Sequence, residues 1–173
     1  MADSTLSPAL QEAYASATAG AVIYETLEIN CSTFGAFRLC KNNESITARL
    51  ESTALYDANT YVTFANIKFD IVPPSMTEGE LPTMQISIDN ISRDLSTLVL
   101  AAQNAGAVMR AVYREFLSTD LTAPANNPPL TLPVTNITEN AMVVTATCSF
   151  VNIANKRWPR NEYNTLEFAG LVY

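Results

Sequence analysis

The amino-acid sequence predicts a mainly β fold of the α+β class, a β-sandwich with a short N-terminal helix and a flanking central helix. Residues 66–71 alternate apolar and polar side chains, and residues 84–88 repeat that alternation after an interruption. A period of two is typical of half-buried strands. Residues 95–102 then carry apolar side chains at helical spacing. The side chains predicted to face the core are Ile67, Phe69, Ile71, Met84, Ile86, Ile88, Leu95, Leu98, Val99 and Ala102.

An acidic loop separates the two strands. Pro73 and Pro74 lack the backbone N–H that a strand ladder needs, so the first strand is expected to end there. Residues 75–82 follow, with Glu78 and Glu80 on either side of a glycine. Two nearby carboxylates are the catalytic pair of many glycosidases, but on a polar loop they are more simply solvated side chains. We therefore expect the loop to project as an arm and count both glutamates as candidate subunit contacts.

The remaining segments predict further strands and a second helix. Ser7 followed by Pro8 is typical of a helix start, and residues 141–150 predict the most regular strand. Residues 108–117 fit a helical face by spacing and a strand by their β-branched and aromatic content, so the pattern leaves both open. The other predicted elements are a helix over 9–17, strands over 22–30, 34–40 and 45–52, a helix C-cap at 104–106, and a long connection or edge strand over 121–133.

Length and charge restrict the functions to consider. A chain of 173 residues is long enough for a substantial core, and we expect one domain over residues 1–157. The formal net charge is −7 and the basic residues form no run, so binding of nucleic acid through phosphate neutralisation is not expected. No apolar stretch is long enough to span a membrane. The first residues lack the charged and apolar regions of a signal peptide, so we expect a protein made and folded in the cytoplasm.

The absence of histidine argues against catalysis. None of the 173 residues is histidine, which excludes histidine-based triads and most zinc and iron sites. Cys31, Cys40 and Cys148 are too widely spaced for a zinc motif and odd in number for a disulfide framework. Cys148 falls on the apolar side of a predicted strand, so we expect a reduced core cysteine. We therefore expect no enzymatic activity, no metal and no cofactor.

Two pairs of polar residues are further candidate sites. Asp89 and Asn90 could bind a cation, but one carboxylate and one amide do not make an oxygen cage. A strand end followed by a helix cap is the simpler interpretation. Arg110 and Arg114 are four residues apart and share a face in either a strand or a helix. We expect a solvated or subunit-contacting pair in preference to an anion site.

The C-terminal residues 158–173 predict an extended aromatic arm. They lack any hydrophobic period but carry several large aromatic side chains, which are poorly tolerated on a loose, exposed tail. Aromatic residues and arginine are also enriched among interface anchors. An arm that contacts neighbouring subunits and a clamp that covers its own sandwich are both open. The candidate interface residues of the arm are Trp158, Pro159, Arg160, Tyr163, Phe168, Leu171 and Tyr173.

Two parts of the chain carry specific motifs. The first contains Tyr61, Phe64, Ile67, Phe69, Ile71, Pro74, Gly79 and Pro82, and ends with Ile86-x-Ile88-Asp89-Asn90-Ile91-Ser92-Arg93. The second runs from Trp158-Pro159-Arg160 to Phe168-Ala169-Gly170-Leu171-Val172-Tyr173. Through these motifs most of the chain, from the first predicted helix to the last residue, resembles a family of phage and prophage proteins, long labelled a domain of unknown function and usually named a minor tail protein. Ala169 in place of the family's proline and the inserted Val172 are departures, and the alignment over 104–136 is loose.

The resemblance implies a tail-tube-like β-sandwich that assembles as a ring, with residues 108–117 as a strand. The protein would be a structural virion component of a long-tailed phage, in the ring that joins the tail tube to the tip or baseplate. Its partners would be copies of itself, as a hexamer or trimer, and the tube and tip or hub proteins of the same tail. The negative charge would suit a lumen through which DNA passes without specific binding. The protein would reside in the virion after synthesis in the host cytoplasm.

Two other functions are open from the sequence. A non-catalytic β-sandwich that binds host-surface glycans would use exposed aromatic side chains such as Trp158 and Tyr163 as sugar platforms. A carboxylate-based hydrolase would need two acidic side chains that face each other across a deep cleft.

Overall fold

The computed structural model describes residues 5–16, 22–73, 83–89, 94–140 and 142–150. This part of the chain contains nine strands and two short helices, so the predicted mainly β fold of the α+β class is confirmed. The elements are α1 (Pro8–Ser16), β1 (Ile23–Cys31), β2 (Gly35–Cys40), β3 (Ile46–Arg49), β4 (Tyr61–Asn66), β5 (Phe69–Val72), β6 (Thr83–Asp89), α2 (Asp94–Asn104), β7 (Met109–Leu117), β8 (Leu130–Glu139) and β9 (Val143–Ser149). Neither described helix has the length and apolar character needed to cross a membrane.

The strands form one continuous sheet in the order β3-β4-β2-β1-β7-β8-β9-β6-β5. Neighbouring strands are antiparallel, except that β2 and β4 pair in parallel through a short contact. The β1–β7 pairing runs the full length of both strands, from Ile23 opposite Leu117 to Cys31 opposite Met109. These two strands are therefore the base of one half of the sheet.

The sheet turns at β8. Residues 130–133 pair with β7, and the remainder of the strand pairs with β9. The register shifts between Val134 and Asn136, and a bulge of this kind bends a strand and increases its twist. The two halves then face each other in a sandwich-like arrangement, because β1, β2 and β7 share one apolar core with β5, β6 and β9. Its buried members are Leu27, Ile29, Leu39, Phe69, Met84, Ile86, Ile88, Val99, Ala111, Leu132, Val144, Ala146 and Cys148.

A second apolar core lies on the other side of β1, β2 and β7. The β3–β4 hairpin packs there, and the ring centroids of Phe64 in β4 and Phe116 in β7 are 5.9 Å apart. The side of β1, β2 and β7 toward the larger core is here called the inner face. The side toward the hairpin is called the outer face. Both faces of this half-sheet are covered, which explains why the side chains of β7 are buried in nearly every position.

The helix ends follow local sequence signals. The Ser7 hydroxyl accepts a hydrogen bond from the Leu10 N–H at 3.3 Å, as an N-cap does. At the end of α2, the Ala107 N–H donates to the Ala102 carbonyl at 3.0 Å, the long bond of a Schellman motif. Gly106 has a φ of 62°, which glycine adopts without the steric penalty that other residues meet. The predicted helix start at Ser7 and C-cap at 104–106 are confirmed.

Several expectations about β7, β8 and the core can now be compared with the structure. Residues 108–117 are strand β7 from Met109 onward, as the resemblance implies. The predicted edge strand over 121–133 is wrong at its end, since β8 begins at Leu130 and lies between β7 and β9. The bulge interrupts the alternation of side chains along β8, so a period of two does not identify this strand. Cys148 is free and fully buried, as predicted, and burial raises the pKa of its thiol to about 11.

Candidate functional site: the outer face of β1, β2 and β7

The outer face changes character along its strands. At one end, Phe116 belongs to the apolar core under the hairpin. In the middle, Glu28 and Arg114 are charged residues that are only 0% and 1% exposed. At the other end, Arg110 is exposed and lies opposite Asn30 in the β1–β7 pairing. The outer face therefore has an apolar end under the hairpin, a middle with buried charges, and an exposed end at Arg110.

Five charged side chains form an ion-pair network in the middle of the outer face. Arg114 binds Glu51 through two hydrogen bonds, from Nε to Oε2 at 2.8 Å and from Nη2 to Oε1 at 2.7 Å. Its Nη1 lies 3.4 Å from Oε2 of Glu28. The same Glu28 oxygen accepts a 2.8 Å bond from Nε of Arg38, and Nη2 of Arg38 donates to Asp57 at 2.7 Å. The contacts thus run from Glu51 across the sheet to Asp57.

The network holds the loop over residues 50–60 against the sheet. Glu51 and Asp57 of this loop bind arginines of β7 and β2. Between them, the Tyr56 hydroxyl donates a 3.1 Å bond to the last backbone carbonyl of β1. The loop turns back through Asp57 and Asn59, whose φ angles of 53° and 60° are left-handed values that Asp and Asn tolerate better than most residues. Three side-chain contacts therefore fix the path of the loop.

Burial makes the network sensitive to the loss of any one charge. Two guanidinium groups face three carboxylates, and removal of one partner from a buried pair costs about 3–5 kcal/mol. Burial lowers the pKa of the Arg38 guanidinium, but the hydrogen bonds to Glu28 and Asp57 outweigh it and raise the pKa above its usual value. Among the described residues, Glu28 Oε1 and Arg114 Nη1 have no hydrogen-bond partner. Two atoms of the network therefore have unused bonding capacity, while its other contacts fix the loop in position.

The open end of the outer face is a cleft of about 470 Å³, here called the Arg110 cleft. The β1–β2 turn, the connection from α2 to β7, and Leu55 and Tyr56 of the loop line it. Leu55 and Val108 are 61% and 68% exposed. Asn30 also lines the cleft and is 3% exposed, yet its Oδ1 has no hydrogen-bond partner within the described ranges. The cleft therefore combines exposed apolar surface, a cation and an unused acceptor.

A second cleft, of about 520 Å³, contains Lys41, Lys68, Asp70 and Asp89. The Lys41 Nζ lies 2.8 Å from Asp70, and this hydrogen bond is the main cause that raises the pKa of Lys41. Such exposed pairs contribute little to stability. Asp89 ends β6, as predicted, whereas Asn90 lies outside the described residues. In the part of the chain that the structure describes, no group of three or more His, Cys, Asp or Glu residues could hold a metal ion.

A third polar group fixes α1 on the end of the sheet. Oε1 of Glu115 accepts hydrogen bonds from the hydroxyls of Tyr14 and Tyr113, each at 2.9 Å. Burial, together with the Glu115 carboxylate, raises the pKa of both tyrosines above the usual value. Both hydroxyls donate to Glu115, and the bond from Tyr14 joins α1 to β7.

Arg110 and Arg114, which the sequence predicts as a pair, have different surroundings in the structure. Arg110 and Arg114 share the outer face of β7, as their spacing predicts. Arg110 is exposed and makes no ion pair with any described residue, so it is available for contact. Arg114 is 1% exposed and bound to Glu28 and Glu51. The expectation of a solvated or subunit-contacting pair is therefore wrong for Arg114, because the loop over 50–60 covers it.

The other candidate interface residues are outside the described part of the chain, as are the whole acidic loop and the whole C-terminal arm. They are Glu78, Glu80, Trp158, Pro159, Arg160, Tyr163, Phe168, Leu171 and Tyr173.

Sequence reasoning missed the partners of Arg114. The available signal was in β1, where Glu28 and Asn30 interrupt a strand that is otherwise largely apolar in its second half. Two polar residues on one face of a strand normally indicate solvent. Here they are buried because Glu51 and its loop lie above them, and nothing in the local pattern indicates that cover.

The fold and the outer face define a mainly β protein of the α+β class, in which half of the sheet is buried on both sides and an ion-pair network on that half holds a loop in place. A family model described as a domain of unknown function (DUF1833) matches residues 9–163. Because the match spans most of the chain, the protein belongs to this family. A search of curated proteins finds no match.

Proposed function

We propose that the protein is a structural subunit of a long-tailed phage virion, in the distal ring that joins the tail tube to the tip or baseplate. The resemblance of residues 86–93 to minor tail proteins supports the proposal. The structural observation that supports it is the Arg110 cleft, an exposed apolar and charged surface at the end of an otherwise covered half-sheet. Such surfaces are typical of contacts between proteins.

The architecture suits a subunit that must keep its shape while its neighbours bind. Two apolar cores cover β1, β2 and β7, and the ion-pair network fixes the loop that lines the cleft. In a closed ring each subunit presents one surface to the copy on its left and a different one to the copy on its right. The role needs no catalytic group, metal or cofactor. A net charge of −7 suits a lumen through which DNA passes.

The test is assembly. Purified protein should form rings, of three or six copies, in negative-stain electron micrographs and give a matching discrete mass by light scattering. Deletion of its gene from a phage or prophage that carries it should leave filled heads and tails without a complete distal end. Normal tails and unchanged infectivity would overturn the proposal. A stable monomer that is absent from virions and binds host-surface glycans would instead support the glycan-binding alternative.

A further inference from the structure

We propose that the Arg110 cleft binds residues 75–81 of a second copy of this chain. The inference rests on the proposed function, which requires contacts between copies, and it names the two surfaces that meet. The cleft and the acidic segment are different surfaces, so the contact is of the head-to-tail kind that can close a ring.

The buried acceptor in the cleft indicates that the cleft takes a ligand with an N–H donor. Asn30 is 3% exposed, and its Oδ1 finds no partner among the described residues. Buried side-chain oxygens in folded proteins are almost always hydrogen-bonded. A backbone N–H of an extended segment laid into the cleft supplies the missing donor.

Arg110 gives the cleft its charge preference. Arg38, Lys41 and Arg114 each bind carboxylates of their own chain, whereas Arg110 is exposed and has no ion-pair partner in the described ranges. A guanidinium group binds a carboxylate through two parallel hydrogen bonds. The ligand is therefore acidic.

The exposed side chains of Leu55 and Val108 add an apolar requirement. They are 61% and 68% exposed and line the same cleft as Arg110. Apolar contact around a central charged pair excludes water and strengthens the pair. The ligand thus has an apolar side chain next to its carboxylate.

Residues 75–81 carry this combination of groups. Their sequence is Ser-Met-Thr-Glu-Gly-Glu-Leu, with Glu78 and Glu80 as carboxylates and with Met76 and Leu81 as apolar neighbours. In an extended segment, residues two apart point to the same side, so both carboxylates can face one arginine. The glycine between them allows a close approach of the backbone. Any such segment also has backbone N–H groups, one of which can donate to Oδ1 of Asn30.

A pair of charge-reversed variants tests the contact between copies. The cleft variant is Arg110→Glu, and the segment variant carries Glu78→Lys and Glu80→Lys. Each should sediment as a monomer at concentrations where the unchanged protein assembles. Mixed in equal amounts, they should assemble again into heterodimers and larger alternating oligomers. The unchanged segment of one chain meets the unchanged cleft of the other, and the two reversed surfaces again carry opposite charges. Lys68→Glu makes the same charge change at an exposed residue outside the Arg110 cleft and should assemble normally.

A mixture that stays monomeric would overturn the inference. That result includes the case in which the segment occupies the cleft of its own chain. Assembly of the Arg110→Glu variant like the unchanged protein would also overturn it. Circular dichroism and thermal melting establish that each variant is folded, which is expected because Arg110 is exposed.

Peptide binding separates this inference from the proposed function. A fluorescent peptide of residues 73–83 should bind the segment variant in an anisotropy titration. Adding Arg110→Glu should weaken binding by at least about tenfold, as expected for loss of hydrogen bonds to a charged group. Asn30→Leu should weaken it several-fold, whereas a merely structural Asn30 predicts unchanged binding. Peptide binding without rings in virions would overturn the proposed function alone, and rings without peptide binding would overturn this inference alone.

Discussion

The inner and outer faces of β1, β2 and β7 are both buried, but by different chemistry. The inner face meets the opposite half of the sheet through apolar side chains such as Leu27 and Leu39. The outer face packs on the hairpin through apolar side chains at one end, and in its middle Arg38 and Arg114 bind Asp57 and Glu51 of the loop. An apolar core tolerates many substitutions of similar volume, whereas a buried charge requires its particular partner. The comparison indicates that the inner face depends on buried volume, whereas the middle of the outer face depends on matched charges and determines where the loop lies.

The largest effect is expected from breaking the outer network at its centre. Arg114→Met leaves the Glu51 carboxylate without its cation and Glu28 with Arg38 as its remaining cation. The free energy of unfolding, measured by urea titration, should therefore fall by about 3–5 kcal/mol. Adding Glu51→Gln should restore part of that loss, because the uncompensated charge is then removed. A loss below about 1 kcal/mol for Arg114→Met would be that of an exposed pair and would contradict the buried network.

The inner face should respond to volume rather than charge. Ile86 of β6 is 1% exposed in the shared core, and Ile86→Ala should lower the free energy of unfolding by about 2–5 kcal/mol. Ile86→Val is the matched control and should lower it by about 0.5–1.5 kcal/mol. Unlike Arg114→Met, neither variant should be rescued by neutralising acidic residues. An unchanged melting temperature for Ile86→Ala would show that this face is not the main core.

The smallest effect concerns the polar group at the end of the inner face. Burial and Glu115 raise the pKa of Tyr14 and Tyr113 in the folded state. Above about pH 10, tyrosines of the unfolded chain ionise while these two stay protonated, so the unfolded state binds fewer protons and stability falls as pH rises. Below that pH both tyrosines are protonated in the folded and in the unfolded state, so stability does not change with pH through them. Tyr113→Phe should flatten the alkaline decline in urea titrations, and Tyr61→Phe, at an exposed position, should not. Equal slopes in both variants would contradict the linkage.

The sequence predicts features that depend on neighbours along the chain. The alternation that defines β6 and β9, the cap at Ser7 and the turn at Gly106 are local, and each is present in the structure. β8 was predicted poorly because its bulge breaks the period of two. For the candidate site, spacing predicts the shared face of Arg110 and Arg114. It does not predict their different surroundings.

That difference arises from contacts between residues far apart in sequence. Glu51 binds Arg114 across 63 residues, and Asn30 comes to line the Arg110 cleft only through the β1–β7 pairing. Hydrophobic periodicity carries no information about such pairs. A polar residue on a strand face is compatible with solvent, with an ion pair and with a ligand, and only the loop above it decides between them.

The strand order also dictates when a growing chain can close its core. β1 leaves the ribosome early, but its longest partner is β7, and β6 must wait for β9 before both of its edges are paired. A nascent chain that ends before Val143 therefore leaves β6 and β8 each with an open edge. Pairing between distant strands is slow, and open edges promote aggregation during synthesis. The half of the sheet that contains β5, β6, β8 and β9 can therefore close only after β9 has been synthesised.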